Sequence, residues 1–365
     1  MIFNQSTFHK DFQLNGISFS SVNELLSYSL SLSKSTQQFF KKWFSNDDFI
    51  IVKTSGSTGT PKSIKLKKEL IINSAFATGE YFSLQENTTA LLCLPTEYIA
   101  GKMMLVRAII LGWHLDIIKS DSHPLKRIVK TYDFSAMVPL QLENSIEKLS
   151  KIKKIIVGGG VVSNQLQNNL QHLSTEVFAT YGMTETITHI AIKKLNNYKN
   201  STSSVSSLSY TTSIQNSFYT TLPNITIYKD IRNCLTINAP KVSDEIIFTN
   251  DVIQLISDTQ FIWLGRFDNV INSGGIKLHP EKIEVKLSKI IKNRFFVAGI
   301  SDKILGEKLV LLIEGNEHNM IFNKVKNCKL LSKFEIPKEI YFVNEFLETE
   351  TKKIQRKKTL DLINL

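Results

Sequence analysis

The residues best suited to chemistry stand together in the run Thr54-Ser55-Gly56-Ser57-Thr58-Gly59-Thr60-Pro61-Lys62-Ser63. Glycines let a backbone curl until several N–H groups aim at one point, and hydroxyls and a lysine add donors, a set that suits a phosphate. A nucleoside triphosphate is the expected ligand. The run follows apolar Phe49-Ile50-Ile51-Val52 and precedes Ile64-Lys65-Leu66, so it reads as a loop leaving one strand and entering another. Two other readings fit less well. It nearly spells a Walker A loop, but Pro61 stands where that pattern needs its second glycine, proline has no N–H to give, and no helical pattern follows at once. A plain Ser/Gly linker is the other.

The rest of the chain must position this loop. Its 365 residues, 42% of them hydrophobic, suffice for a substantial core and two domains. The start, Met1 to Ser6, lacks the apolar run of a signal peptide, and the longest apolar stretches, such as Met103 to Trp113, are short and interrupted by Arg107, so a cytoplasmic enzyme is expected. Cys93, Cys234 and Cys328 lie far apart, without metal-ligand or disulfide spacing, and read as reduced thiols. The formal net charge of +11 comes from scattered lysines rather than a basic stripe with interleaved aromatics, which argues against a nucleic-acid partner and suits anionic small molecules.

Periodicity predicts an amphipathic helix from Val22 to Phe44, a second from Lys67 to Tyr81, and a buried strand from Thr89 to Leu94. Strands at Trp113 to Lys119, Phe134 to Val138 and Lys153 to Val157 alternate with helical stretches, as in a βα fold. The third strand ends in Gly158-Gly159-Gly160, which allows a ligand close to the backbone, although a tight turn alone would also select glycines. Val138 to Gln141 closes the preceding strand beside it. Arg107 interrupts an apolar helical face, either as a snorkelling surface arginine or as a contact for an anionic group or partner subunit. His189 is either a satisfied structural histidine or a residue near a substrate. Asn196 to Ser217, dense in Ser, Thr and Asn, reads as a surface loop. Strands at Leu222 to Tyr228, Cys234 to Asn238 and Glu245 to Phe248 suggest a small β-subdomain. Helical Glu281 to Lys292 and strands Phe295 to Ile300 and Lys308 to Glu314 form an α+β module of about 100 residues.

Three stretches in fixed order resemble the adenylate-forming superfamily of acyl-CoA synthetases, luciferases and peptide-synthetase adenylation domains. The Thr54 to Ser63 loop resembles its phosphate signature, with Ser63 for the usual glycine. Phe178-Ala179-Thr180-Tyr181-Gly182-Met183-Thr184-Glu185-Thr186 resembles its Tyr-Gly-x-Thr-Glu motif, and Gly265-Arg266-Phe267-Asp268-Asn269-Val270-Ile271-Asn272-Ser273-Gly274-Gly275 resembles its domain junction. Together with the compact length and the Gly-rich turn, these motifs look most like those of short bacterial o-succinylbenzoate-CoA ligases of menaquinone synthesis.

The resemblance implies an α/β fold: a large N-terminal adenylate-forming domain of layered mixed sheets and helices with a small β-subdomain (1–267), and a small mobile α+β lid (268–365). The family's opening segment is usually longer, so a compact variant is implied, its surfaces exposed or paired in a homodimer. It further implies ATP and AMP contacts from Thr54, Ser55, Gly56, Ser57, Thr58, Gly59, Lys62, Gly159, Tyr181, Asp251 and Arg266. Thr184 would contact the α-phosphate, and Glu185 would help hold Mg²⁺, for which a hard carboxylate oxygen is suited. Tyr98 stands where the family often has histidine, and an aromatic with a hydroxyl either lines a pocket there or packs in the core; with Arg107, Gly159 and His189 it is assigned to the expected acyl pocket. Asp268 would be the hinge, and Ser273, Gly274 and Gly275 the loop facing coenzyme A. In Glu350-Thr351-Lys352-Lys353-Ile354, Lys353 matches the family's terminal catalytic lysine, with Lys352 for a glycine and a solvated basic tail as the alternative. Expected chemistry is acyl-adenylate formation, then thioester formation. Another aryl-CoA ligase, a carrier-loading adenylation domain and a non-catalytic nucleotide-binding regulator remain the other readings.

Overall fold

A computed structural model describes residues 7–53, 62–197, 218–317, 319–349 and 353–363. They divide into two compact units, one formed by the chain up to 227 with 237–247, the other by 228–236 and the chain from 248 onward.

The first unit is built on parallel strands. Thr89–Leu92 pairs in parallel with both His114–Ile117 and Tyr132–Met137, which is followed by Ile152–Val157 and Glu176–Gly182. The direction then reverses: Glu176–Gly182 pairs antiparallel with His189–Lys194, and that strand with Tyr219–Thr221. Both faces are covered, which is why the strands read as nearly continuous apolar runs. Phe134 packs on Phe82 and Trp113, and Phe178 on Phe82, on the side of the helices Lys68–Phe82 and Ile99–Leu111. Leu91, Cys93, Met137, Ile155 and Val177 form the core on the other side.

The expected Val22 to Phe44 helix is two helices, Val22–Ser29 and Lys34–Trp43. Ser33 is the reason: its side chain accepts from the Thr36 N–H and caps the second helix, while the Gln37 amide ties down the carbonyls of Leu30 and Leu32. The apolar period runs through the break, so periodicity alone hides it. Phe49–Lys53 pairs antiparallel with Ser63–Lys67, Lys53 opposite Ser63, as expected for strands flanking the hydroxyl-rich loop. Thr54 to Gly59 themselves lie outside the described residues, as does most of Asn196 to Ser217.

In the second unit Ile247–Ser257 pairs antiparallel with Gln260–Arg266. The first of these runs well past the expected Phe248, because Val252, Ile253 and Leu255 continue the strand. A 3₁₀ turn at Phe267–Asn269 leads to the hairpin of Ile271–Ser273 and Ile276–Leu278. The helix Pro280–Leu287 ends earlier than the expected Lys292, at Ser288. Phe295–Asp302 and Gly306–Glu314 pair antiparallel, and Glu339–Val343 joins in parallel. Ile283, Leu287, Val297, Leu309 and Leu311 are buried together on one side, Phe296, Val310, Leu312 and Phe346 on the other.

All three cysteines are free, and burial pushes the Cys93 thiol up to about 12. Among the described residues no helix is long and apolar enough to cross a membrane.

Candidate functional site

In the first unit the expected motif residues gather where Glu176–Gly182 ends. Gly182 stands opposite His189, and a Cβ there would lie 2.2 Å from the Thr188 carbonyl oxygen, so only glycine fits. The chain turns through the 3₁₀ segment Thr184–Thr186. The Thr186 hydroxyl knots this turn, accepting from the Met183 N–H at 3.0 Å and lying 2.7 Å from the Thr188 carbonyl oxygen. Ile187 then adopts φ +65° and ψ −61°, and the Thr188 N–H reaches the Thr186 carbonyl at 2.7 Å. This is the strained hand of γ-turn, and a buried β-branched residue holds it. The strain fixes Thr184, half-buried, and Glu185, exposed, on a rigid corner beside Tyr181.

Thr186→Val keeps the shape but leaves the Met183 N–H without its partner. We expect it to cost about 1–3 kcal/mol of stability in a denaturant titration, and to reduce any activity that depends on Thr184 and Glu185 beyond the loss of folded protein. Unchanged midpoint and activity would show that the knot is not needed.

Gly159 takes φ +79° on the exposed turn after Ile152–Val157, and a Cβ on Gly158 would lie 2.8 Å from the Thr180 hydroxyl. Gln141 is buried, donating to the carbonyls of Cys93 and Asp121, so it ties strand ends together.

Tyr98 precedes the helix Ile99–Leu111 and is half-buried. Within that helix Arg107 is 1% exposed, which rules out the snorkelling surface arginine. Its Nε donates to the Thr78 hydroxyl at 3.2 Å, Nη1 lies 3.8 Å from Met104 Sδ, and Nη2 has no partner among the described residues. His189 Nε2 is 3.5 Å from the same Thr78 hydroxyl. Burial lowers Arg107 to about 9, so it stays charged at neutral pH. Burial first, and the Arg107 charge second, hold His189 well below its usual value and hence neutral. Among the described residues this buried cation therefore has no carboxylate partner, and a neutral imidazole stands next to it.

The second unit holds the other group. Asp251 and Arg266 face each other across the two paired strands. The Trp263 indole donates to Asp251 Oδ1 at 3.0 Å, and Arg266 Nη1 lies 3.9 Å from the same oxygen. Arg266 Nη2 donates to Asp268 Oδ2 at 2.8 Å. Arg266 thus bridges two carboxylates. Ser273-Gly274-Gly275-Ile276 is a two-residue hairpin turn with φ +58° and +82° at its glycines, a conformation that other residues resist.

Lys353 is half-buried; its N–H donates to the Thr349 hydroxyl at 3.1 Å and its carbonyl accepts from the Thr349 N–H at 2.9 Å. A two-pronged pair, Arg356 to Glu284 at 2.6 and 2.8 Å, fastens this end of the chain to the helix Pro280–Leu287. Burial, then the charge of Arg266, lowers the Lys353 pKa. That placement does not match a solvated basic tail. Lys62 and Ser63, at the described end of the loop, are exposed.

A family model described as AMP-binding enzyme matches residues 27–214. The chain belongs to the AMP-binding enzyme family. Among AMP-binding relatives, a 2-succinylbenzoate–CoA ligase of Lactococcus lactis is 24% identical over 333 residues, covering 84% of this chain and 70% of that one. Its counterpart in Staphylococcus epidermidis is 26% identical over 333 residues, covering 84% and 68%. A solved acyl-CoA synthetase (AMP-forming)/AMP-acid ligase II-like protein from Dyadobacter fermentans is 34% identical, with a TM-score of 0.57 over 90% of this chain and 95% of that one. An o-succinylbenzoate coenzyme A synthetase of Bacillus subtilis, solved with ATP and magnesium, shares the α/β fold at 18% identity and a TM-score of 0.70, covering 93% and 82%.

Thr78, Thr186, Asn250 and Trp263 escape sequence reasoning. Thr78, Asn250 and Trp263 act through partners brought near by pairing or packing, and Thr186 through the backbone of its own turn, which residue type does not mark.

Proposed function

We propose that this chain is an ATP-dependent, AMP-forming acid-thiol ligase that converts o-succinylbenzoate to its coenzyme A thioester in menaquinone synthesis, in the cytoplasm. Family membership supports the adenylating chemistry, and the names of the relatives support the acid. The observation that carries the substrate is Arg107: a buried cation with no acidic partner among the described residues, beside neutral His189, suits the second carboxylate of an aromatic diacid.

The residues divide the work. The loop from Thr54 to Lys62, with Gly159 and Tyr181, would hold the nucleotide's phosphates and adenine, and Asp251 and Arg266 its ribose. Thr184 would donate to the α-phosphate. Glu185 is a single exposed carboxylate, and the described residues contain no cluster of three metal-binding side chains, a donor set that suits Mg²⁺ sharing its shell with phosphates and water. When bound, that ion would offset phosphate charge.

Lys353 would offset the charge that develops as the acyl carboxylate oxygen bonds to the α-phosphorus and the bond to pyrophosphate breaks. Two anions must meet in line, so positioning is most of the catalysis. Movement about Asp268 would then withdraw Lys353 and bring up the Ser273 to Gly275 turn. The thiol sulfur attacks the carbonyl carbon, AMP leaves with the bonding pair, and the thiol proton passes to solvent.

Incubation with ATP, Mg²⁺, coenzyme A and o-succinylbenzoate, followed by mass spectrometry, should give the thioester and AMP in equal amounts. Adenylate without thioester would point to a carrier protein as acceptor. The lowered Lys353 pKa carries its own consequence. Its charged form does the work, so adenylation should fall as pH rises, on a limb below the ordinary lysine range. Lys353→Arg, which stays charged, should move that limb upward; a limb that stays put would assign it to another group.

A further inference from the structure

We propose that Arg232 and Asn250 form a latch that holds the hinge at Asp268 in the adenylating arrangement, an inference that rests on the ligase reading above. Asn250 Nδ2 donates to both oxygens of Asp268, at 3.2 and 3.3 Å. Its own Oδ1 accepts from Arg232 Nη1 at 2.9 Å. Arg232 is itself fixed: Nε donates to Asp230 Oδ2 at 2.8 Å, Nη2 to the Thr249 carbonyl at 3.1 Å, and its backbone N–H to Asp230 Oδ1. Its guanidinium also lies 5.4 Å from the centroid of the Phe267 ring, the residue before the hinge.

Two independent contacts therefore run from Arg232 to the turn Phe267–Asn269, one through Asn250 to Asp268 and one directly to Phe267. Neither Arg232 nor Asn250 has a role in the chemistry. On the other side Arg266 grips Asp268. Asp268 is thus held from two directions. Rotation about Asp268 has to break the Asn250 contacts. Asn250 and Arg232 are positioning residues that set how readily the enzyme leaves adenylation for thioester formation.

Asn250→Gly removes the latch, and Asn250→Asp keeps its shape while replacing a donor to Asp268 with a like charge. Three readouts decide: pyrophosphate exchange for the first step, single-turnover thioester formation from supplied acyl-adenylate for the second, and hydrogen exchange at the Phe267 to Val270 amides. Because the contacts are partly exposed, a change of about fivefold is expected. Exchange with pyrophosphate should fall about fivefold relative to the second step, and the hinge amides should exchange about fivefold faster, with Asn250→Asp the stronger of the two. Equal loss in both steps, or unchanged hinge amides, would overturn the latch. Wild-type protein inert toward every acid would overturn the ligase reading, and hydrogen exchange would still decide whether the latch exists.

Discussion

Arg107→Met is expected to make the protein more stable and far less able to use a diacid. Arg107 is a desolvated cation with Nη2 unpartnered among the described residues, and methionine is a flexible, unbranched replacement for its stem. Exchanging buried charge for apolar volume is often neutral or stabilising, by about 1–4 kcal/mol. The melting midpoint should rise by about 2–6 °C. Thr78 keeps its own bond to the Ser74 carbonyl, so the substitution strands little. With o-succinylbenzoate, kcat/KM should fall about a hundredfold or more, the loss expected when one partner of a buried charge pair is removed. A simple aryl monoacid should lose nothing. A lower midpoint with equal losses on both acids would make Arg107 a packing residue.

Lys353→Ala should reduce adenylation by about 10²–10³-fold, the loss typical of removing one preorganised group from a developing charge. Thioester formation from supplied acyl-adenylate should survive, because that step follows withdrawal of Lys353. The split between half-reactions is the informative part. Loss of both steps together would mean that the variant has lost its fold or that Lys353 acts elsewhere, and a melting curve separates these.

The family was legible in residue types at fixed spacing, and the fold in the apolar runs. The Tyr-Gly-Met-Thr-Glu run closes a strand and enters a turn, Asp251 lies within the strand Ile247–Ser257 and Arg266 ends its partner, and the parallel strands appear as the apolar runs suggest. What depends on packing was not. Nothing local said that Arg107 is buried, since one charge in an apolar helix fits a snorkelling position as well as a buried one; the clue was that the helix from Met103 to Ile110 lacks a polar face. The break between Ser29 and Lys34 depends on the Ser33 cap, which an unbroken apolar period conceals. Trp263 meets Asp251 only through a strand register that includes a bulge. The γ-turn at Ile187 is less legible still, because β-branched residues are the last expected there.

The central claim is that this chain adenylates an aromatic diacid, and pyrophosphate exchange into ATP across a panel of carboxylic acids tests it most directly. Exchange that depends on o-succinylbenzoate, is weak with the monoacid lacking the second carboxylate, and disappears in Lys353→Ala is the predicted result. Equal exchange with diacid and monoacid would contradict the assignment of Arg107 and of the substrate, and no exchange with any acid would contradict the ligase itself.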